Sequence, residues 1–453
     1  MVASPVVESK GLGWRRCEGA LLLAFLLLAF VYCGVVQPGY GPDEPRHFRY
    51  VQRLAEKGAL PLRQGNVEVD GAHTLHPPLY YALLVPAYLA THTAGPLVAA
   101  RSLKLLSPVM LAAALWVFLG ILRRCLPERP LARAIALGMV AFLPEFLLEA
   151  SVINNDALAI LLGALWLAVC VQAALGDRQG RCAAWIAGAI LVAFVNTKAT
   201  GWTLAPLWGV ALVLRDGRRG LRTAAWWREV AIVYGLALAL GTPWYLRNYA
   251  LYGQPVPLDF GPGDALRPHT LPERRPLSPL EVYTGGWVVY WGMRAAVGLF
   301  QSFWVQIDWV PEEARPICFG LLAAWCGLAL IGWIGRALRR REPLARGERV
   351  LAALAGGGLA LVAAHTWYVA TFLHIGFYQG GRYLMPAAFG AGVLLALGWE
   401  GLLPTRWRGR AAPWVLAAVA VGWVAFHALC LDQLIHVLNP TYVDPLGHPA
   451  LRG

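Results

Sequence analysis

Apolar residues run along this chain in long stretches that few charges interrupt. The runs lie near 18–37, 103–122, 131–151, 157–175, 182–197, 201–214, 229–246, 316–335, 350–373, 384–402 and 412–435. A helix that crosses a bilayer needs about 20 such residues. A further apolar run at 79–93 is short and carries Pro86. Counted as a span, it would put Arg123, Arg124, Arg129 and Arg133 outside, against the bias of Lys and Arg toward cytoplasmic loops. The pattern therefore predicts an all-α polytopic membrane protein of about 11 spans, with 79–93 a helix lying on the outer surface. The N-terminus is then cytoplasmic and the C-terminus outside, in a cell inner or plasma membrane.

With that topology every basic cluster falls on one side: Lys10/Arg15/Arg16, Arg123–Arg133, Arg178/Arg181, Arg215–Arg228, Arg336–Arg349 and Arg406–Arg410. All ten histidines fall outside or in the outer half of a span, although they played no part in assigning sides. Three parts follow. Residues 1–250 form a transmembrane module with a first outer loop at 38–102. Residues 251–315 form a second outer loop, where the Trp-rich stretch Tyr283 to Trp309 predicts an interfacial helix, and 316–453 hold the C-terminal helices.

Composition agrees with the pattern. The 453 residues are 58% hydrophobic and 14% charged, against about 45–50% and about 25% in soluble domains. The 20 Trp residues suit aromatic belts at the membrane interfaces. The net charge of +13 comes from Arg in short loops with no continuous basic face, which excludes nucleic acid as a partner. The eight cysteines fall mostly in or beside apolar runs with no CxxC pair, so neither a disulfide framework nor a thiolate metal site is expected. Lys10, Arg15 and Arg16 precede the apolar run from Gly19 to Val36 as in a signal peptide, but no small-x-small cleavage site follows, and the run reads as a retained first span. The absence of a Walker loop and of a dinucleotide fingerprint argues against a nucleotide-driven machine. Gly356-Gly357-Gly358, inside a predicted span, reads as close helix packing.

Polar groups gather on the outer side. Gly41-Pro42-Asp43-Glu44-Pro45-Arg46-His47 places two carboxylates and an imidazole beside the bilayer, where such groups are costly and usually functional. Asp43 or Glu44 capping a helix that starts at Pro45 is the structural alternative. His73-Thr74-Leu75-His76-Pro77-Pro78-Leu79-Tyr80-Tyr81 follows. His73 and His76 with Asp43 or Glu44 would make a two-His-plus-carboxylate set for a divalent metal; hydrogen-bonded interfacial histidines are the competing reading. Asn154-Asn155-Asp156 lies at the next outer turn, where Asp156 is either a site carboxylate or a helix cap. Glu145 and Glu149 precede it, one helical turn apart. Lys198, Arg247 and Arg382 are outer-side cations against the topogenic bias. Each has a bland explanation in lipid headgroup contact, but together beside carboxylates they point to a phosphate site.

These motifs resemble a known pattern. Asp-Glu-x-x-His after the first span, then His-Pro-Pro-Leu-Tyr-Tyr, then Asn-Asp at the next outer turn, is similar to the GT-C membrane glycosyltransferases, nearest to bacterial relatives of protein O-mannosyltransferases and aminoarabinose transferases. The likeness covers about 18–250, and Gln379-Gly380-Gly381-Arg382-Tyr383-Leu384-Met385-Pro386 resembles a further motif, with one extra glycine. It implies transfer of a sugar from a polyprenyl-phosphate carrier at the outer face to a lipid, glycan or protein acceptor. It also implies that an acidic residue of the first outer loop acts on the acceptor. That residue matches Asp43, or Glu44, and the second acidic position matches Asp156. The implied substrate-binding set is His47, His73, His76, Asn155, Lys198, Arg247, Gln379, Arg382 and Tyr383. Direct displacement would invert the anomeric centre, and no nucleotide is required. The competing classes are a lipid-linked glycan polymerase or ligase, and a transporter or flippase; the one-sided polar groups and the lack of a clear internal repeat weigh against the transporter.

Overall fold

The computed structural model describes residues 5–64, 67–177, 180–256, 286–339, 343–372, 380–403 and 405–441. The first half comprises α1 (Pro5–Val35), α2 (Glu44–Lys57), α3 (Leu79–Thr91), α4 (Pro96–Lys104), α5 (Leu106–Cys125), α6 (Pro130–Ala141), α7 (Pro144–Glu149), α8 (Asp156–Leu175), α9 (Gly180–Val195), α10 (Thr200–Leu204), α11 (Leu207–Gly220), α12 (Ala224–Gly241) and α13 (Pro243–Tyr252). The second comprises α14 (Gly286–Trp304), α15 (Arg315–Arg339), α16 (Arg346–Phe372), a 3-10 turn at Gly380–Ala387, α17 (Ala388–Leu402) and α18 (Thr405–Gln433). The described strands are a two-residue antiparallel pair, Arg63–Gln64 with Val67–Glu68, in the first outer loop.

Among the described residues seven helices are long and apolar enough to cross a bilayer, or eight if the bent pair α12 and α13 is one span. Pro130–Ala141 and Gly180–Val195 are apolar but shorter. The expectation of about 11 therefore meets fewer full-length helices and several broken ones. Run 131–151 divides into α6 and α7 because Pro144 opens α7 and Leu143 before it is extended, with φ −68° and ψ 119°. Run 201–214 divides at Pro206 into α10 and α11. Run 79–93 becomes α3, whose 13 residues reach only about 20 Å at 1.5 Å per residue, too short to span.

Among the described residues, several arginines of the basic clusters are joined through shared carboxylates. Glu18 takes hydrogen bonds from Arg123 Nε (2.8 Å) and Arg133 Nε (2.7 Å). Arg129 pairs with both Glu348 and Glu400, and Arg336 reaches Glu400 at 3.7 Å. Arg215 pairs with Glu229 at 3.0 Å. Glu18, Glu229, Glu348 and Glu400 are buried, and each is matched by at least one guanidinium group.

Helix pairs α9/α12, α15/α17, α5/α8 and α6/α17 form the main packing interfaces. Between α15 and α17 a Cβ at Gly332 would lie 1.8 Å from the Gly398 carbonyl oxygen, so the backbones approach more closely than any side chain allows. At the glycine run, Cβ atoms on Gly356 and Gly358 would meet only leucine side chains, Leu394 at 3.4 Å and Leu207 at 3.2 Å, a looser contact than that between Gly332 and Gly398. Leu23, Leu27, Trp116, Leu330 and Trp414 are exposed, as on a lipid-facing surface.

Candidate functional site

Asp43 begins the site with an unusual backbone. It sits at the N-cap of α2 in the left-handed region, φ 58° and ψ 11°, and its side chain makes no cap hydrogen bond. Aspartate tolerates this conformation better than most residues, and held strain of this kind gathers at functional sites. The carboxylate turns away from the helix N-terminus to meet cations: Arg46 Nη1 at 3.3 Å and Arg382 Nη2 at 3.6 Å. Burial alone would raise the Asp43 carboxyl, but Arg382, with Arg46 beside it, holds it below the usual aspartate value.

Glu44 faces the other way. Its Oε2 accepts from Gly39 N (2.9 Å) and Gly41 N (3.0 Å), and its Oε1 from Ile153 N (2.9 Å). The side chain is buried, and this burial outweighs the Lys104 charge and the three amides and raises its carboxyl. Glu44 thus ties the loop after α1 to the turn before α8, with all three bonds to backbone.

The helix α2 is amphipathic: Glu44, His47, Phe48 and Val51 recur at helical spacing on the buried face. Gly58, at φ 59°, ends it with its N–H on the Leu54 carbonyl. That face packs on α3, whose Tyr80, Tyr81, Leu84 and Tyr88 are buried. His47 Nδ1 and Tyr81 Oη lie 2.7 Å apart, and the Tyr50 and Tyr81 rings stack at 3.8 Å. His73 and His76 arrive on the segment before α3, pinned to α2 by His73 N donating to the Arg46 carbonyl (3.3 Å) and Tyr50 Oη donating to the His76 carbonyl (3.3 Å). The nitrogen ligand atoms of His47, His73 and His76 all lie within 4.8 Å of one another, the metal-competent cluster among the described residues. Desolvation, with neighbouring positive groups, lowers both His47 and His76. The expected metal set paired His73 and His76 with Asp43 or Glu44; in the structure the third group is His47.

Asp156 opens α8, and its carboxylate pairs with the buried Lys198 ammonium. Asn154 Oδ1 accepts from Asp156 N at 3.1 Å, so the neighbour performs the capping contact while the second Asp156 oxygen is buried without a partner. Asn155 donates through Nδ2 to the Thr197 carbonyl at 2.8 Å, fixing the turn that carries Lys198 against α8. Lys198 Nζ lies 4.8 Å from the Tyr383 ring centre, and Arg382 Nη2 is 3.3 Å from the Tyr383 hydroxyl. The 3-10 turn is placed by Gly381: a Cβ there would lie 2.0 Å from Phe303 N, and its own N–H donates to Ser302 Oγ at 2.8 Å. Arg382 is 8% exposed, yet among the described residues its Nε and Nη1 have no partner. A buried guanidinium with unpaired donors is prepared for an anion.

Sequence positions 43, 47, 73, 76, 155, 156, 198, 382 and 383 thus form one connected region. Arg247 stands apart: it donates to the Pro61 carbonyl at 2.9 Å and lies over Trp244, and among the described residues no ion pair joins it to Asp43, Asp156 or Arg382. Gln379 lies outside the described residues. Sequence reasoning missed Glu68 and Tyr81. Glu68 accepts from Arg46 Nε at 2.7 Å and from Thr74 N at 2.9 Å, and lies 3.4 Å from His73 Nδ1. Its only signal was an acidic residue five positions before a histidine. Glu145 and Glu149 bring further buried oxygens without partners to the same region.

No protein-family model matches the chain, and no curated protein matches it in sequence. Solved structures do match. The chain is similar to ArnT from Cupriavidus metallidurans bound to undecaprenyl phosphate, with TM-score 0.51 and 17% identity over 90% of this chain and 64% of that one. The fold is GT-C-like. A second likeness in fold is to the Archaeoglobus fulgidus oligosaccharyltransferase tethered with an acceptor peptide, with TM-score 0.51 and 11% identity over 92% of this chain and 55% of that one. The chain spans less than two thirds of the length of either structure. The resemblance expected from the outer-loop motifs holds at the level of fold, and the chain is a multi-pass membrane protein.

Proposed function

We propose that the protein transfers a sugar from a polyprenyl-phosphate carrier to an acceptor hydroxyl at the extracytoplasmic face of an inner or plasma membrane. The observation that carries this reading is Arg382, buried, with Nε and Nη1 unpaired, beside Asp43 at 3.6 Å and sharing Tyr383 with Lys198. A base and an anion-binding pair side by side are what displacement of a phosphate leaving group requires. The ArnT structure with undecaprenyl phosphate adds support from a neighbour of the same fold. An apolar cavity of about 390 Å3, lined by Met139, Trp304, Trp325, Val419, Trp423 and Phe426, suits a lipid chain. Trp304 follows Phe303, which abuts Gly381, so the cavity approaches the Arg382 turn.

In the proposed step the acceptor oxygen attacks the anomeric carbon as the bond from that carbon to the phosphate oxygen breaks. The bonding pair leaves with the phosphate, and the configuration inverts. Asp43 takes the hydroxyl proton. A carboxylate held below its usual pKa is a weak base, so it accepts the proton late, when the half-formed bond has made the oxygen strongly acidic. Arg382 and Lys198 meet the charge that grows on the phosphate in a partly dry site. Asp156 holds Lys198 in place, and Glu44 holds the Asp43 loop against the turn before α8. The three-part division at 250 and 315 fits this reading, with the second outer loop shaping the acceptor side.

The test is release of polyprenyl phosphate from purified protein given a panel of sugar-loaded carriers. Wild type should release it, and Asp43→Asn should not, although it still binds polyprenyl phosphate. Turnover by Asp43→Asn removes Asp43 as the base. Movement of intact carrier between leaflets without release would point to the transporter class.

A further inference from the structure

We propose that His47, His73 and His76 form a binding site for one divalent cation of the zinc class, with Glu68 and Tyr81 as its orienting partners. The site stands on imidazole geometry and is independent of the transfer reading above.

Three features distinguish this cluster from ordinary buried histidines. First, the rings converge: their centres lie 5.2 Å (His47–His73), 5.4 Å (His47–His76) and 4.5 Å (His73–His76) apart, with one nitrogen of each within 4.8 Å of the others. Nitrogens bound to a tetrahedral cation at about 2.0–2.1 Å sit roughly 3.4 Å apart, so closure draws them together by at most about 1.4 Å. Second, two rings have their outer nitrogen engaged. His47 Nδ1 meets the Tyr81 hydroxyl at 2.7 Å, and His73 Nδ1 faces Glu68 Oε1 at 3.4 Å. Among the described residues no hydrogen bond occupies Nε2 of either ring, and a carboxylate behind a histidine is the usual support of a metal-bound imidazole. Third, the support is itself fixed. Glu68 is gripped by Arg46 and by the N–H and hydroxyl of Thr74, and the His73–His76 segment is pinned to α2 at both ends.

The surrounding charges permit a cation. Arg46 is paired with Glu68 and Asp43, Arg382 with Asp43, and Lys198 with Asp156, so each of these cations already faces a carboxylate. A set of three imidazoles selects zinc, cobalt, nickel or copper over magnesium or calcium. Three protein ligands leave a fourth position open to water, as in sites that exchange ligands.

The experiment uses full-length protein purified in detergent through a tag without histidine and stripped with chelator. Zinc content after dialysis against buffered zinc should be about one per chain, and cobalt should give the intense visible absorption of a tetrahedral site. His73→Ala and His76→Gln should each abolish both signals. Glu68→Gln should keep the tetrahedral spectrum but weaken affinity roughly 10- to 100-fold. Size-exclusion profiles and helical circular dichroism confirm that each variant is folded. Uptake by wild type no greater than by His73→Ala, or a pale octahedral cobalt spectrum unchanged by either histidine variant, overturns the proposal. The wild-type measurement decides it even where one variant fails to fold.

Discussion

Replacing Arg382 by lysine keeps the charge and removes the fork. Arginine can place two parallel N–H bonds on one phosphate, whereas an ammonium places a single contact of that kind. Among the described residues Nε and Nη1 of Arg382 have no partner, and a bound phosphate would satisfy them. A hydrogen bond to a charged group contributes about 1.5–3 kcal/mol. Losing one of two lowers polyprenyl-phosphate affinity roughly 10- to 150-fold, at about 1.4 kcal/mol per tenfold. The native contacts at risk are long, 3.6 Å to Asp43 and 3.3 Å to the Tyr383 hydroxyl, and a lysine can still face Asp43. Melting temperature should therefore barely move. The assay titrates a short-chain polyprenyl phosphate into detergent-solubilised wild type and Arg382→Lys, by calorimetry or tryptophan fluorescence, with a thermal melt of each. Equal affinities would refute the phosphate assignment. A loss of affinity matched by a large loss of melting temperature would show instead that the turn at 380–387 had collapsed.

Asp156→Asn strands a buried ammonium at Lys198 and should cost about 3–5 kcal/mol, read as a lowered melting temperature; adding Lys198→Met should recover most of that loss without restoring transfer. Glu44→Gln turns an amide N–H2 toward either the Ile153 N–H or the paired Gly39 and Gly41 N–H groups, leaving at least one buried donor unmatched at about 1–3 kcal/mol; transfer rate should fall with it while polyprenyl-phosphate affinity holds. For pH, Asp43 is held below the usual aspartate range, so its base form persists as pH falls through that range and is lost only below it. The acid limb of kcat/KM in a release assay should accordingly lie under the value of a free carboxylate, and Arg382→Lys, with a weaker contact, should move it upward.

Much of the fold was legible because a bilayer imposes a simple rule. Backbone polar groups must pair within each helix, so spans announce themselves as apolar runs of set length. Runs broken by proline were harder to read. Hydropathy sees 131–151 as continuous, whereas Pro144 splits it and turns α7 so that Glu145 and Glu149 join the polar region. In the first outer loop Asp43 and Glu44 are adjacent and chemically alike. Nothing along the chain says that one takes a left-handed backbone toward Arg382 while the other closes on three amides.

The amino-acid sequence alone determined that this protein lives in a membrane, and it marked Asp43, Asp156 and Arg382 as polar groups out of place among apolar runs. These are consequences of solvation, which acts on each segment separately. The tertiary structure decided which groups touch. It joined Lys198 to Asp156, set Glu68 behind His73, drew Arg382 to Asp43 and left Arg247 beside Pro61. Such pairings depend on packing between segments tens to hundreds of residues apart, and a local pattern carries no record of them.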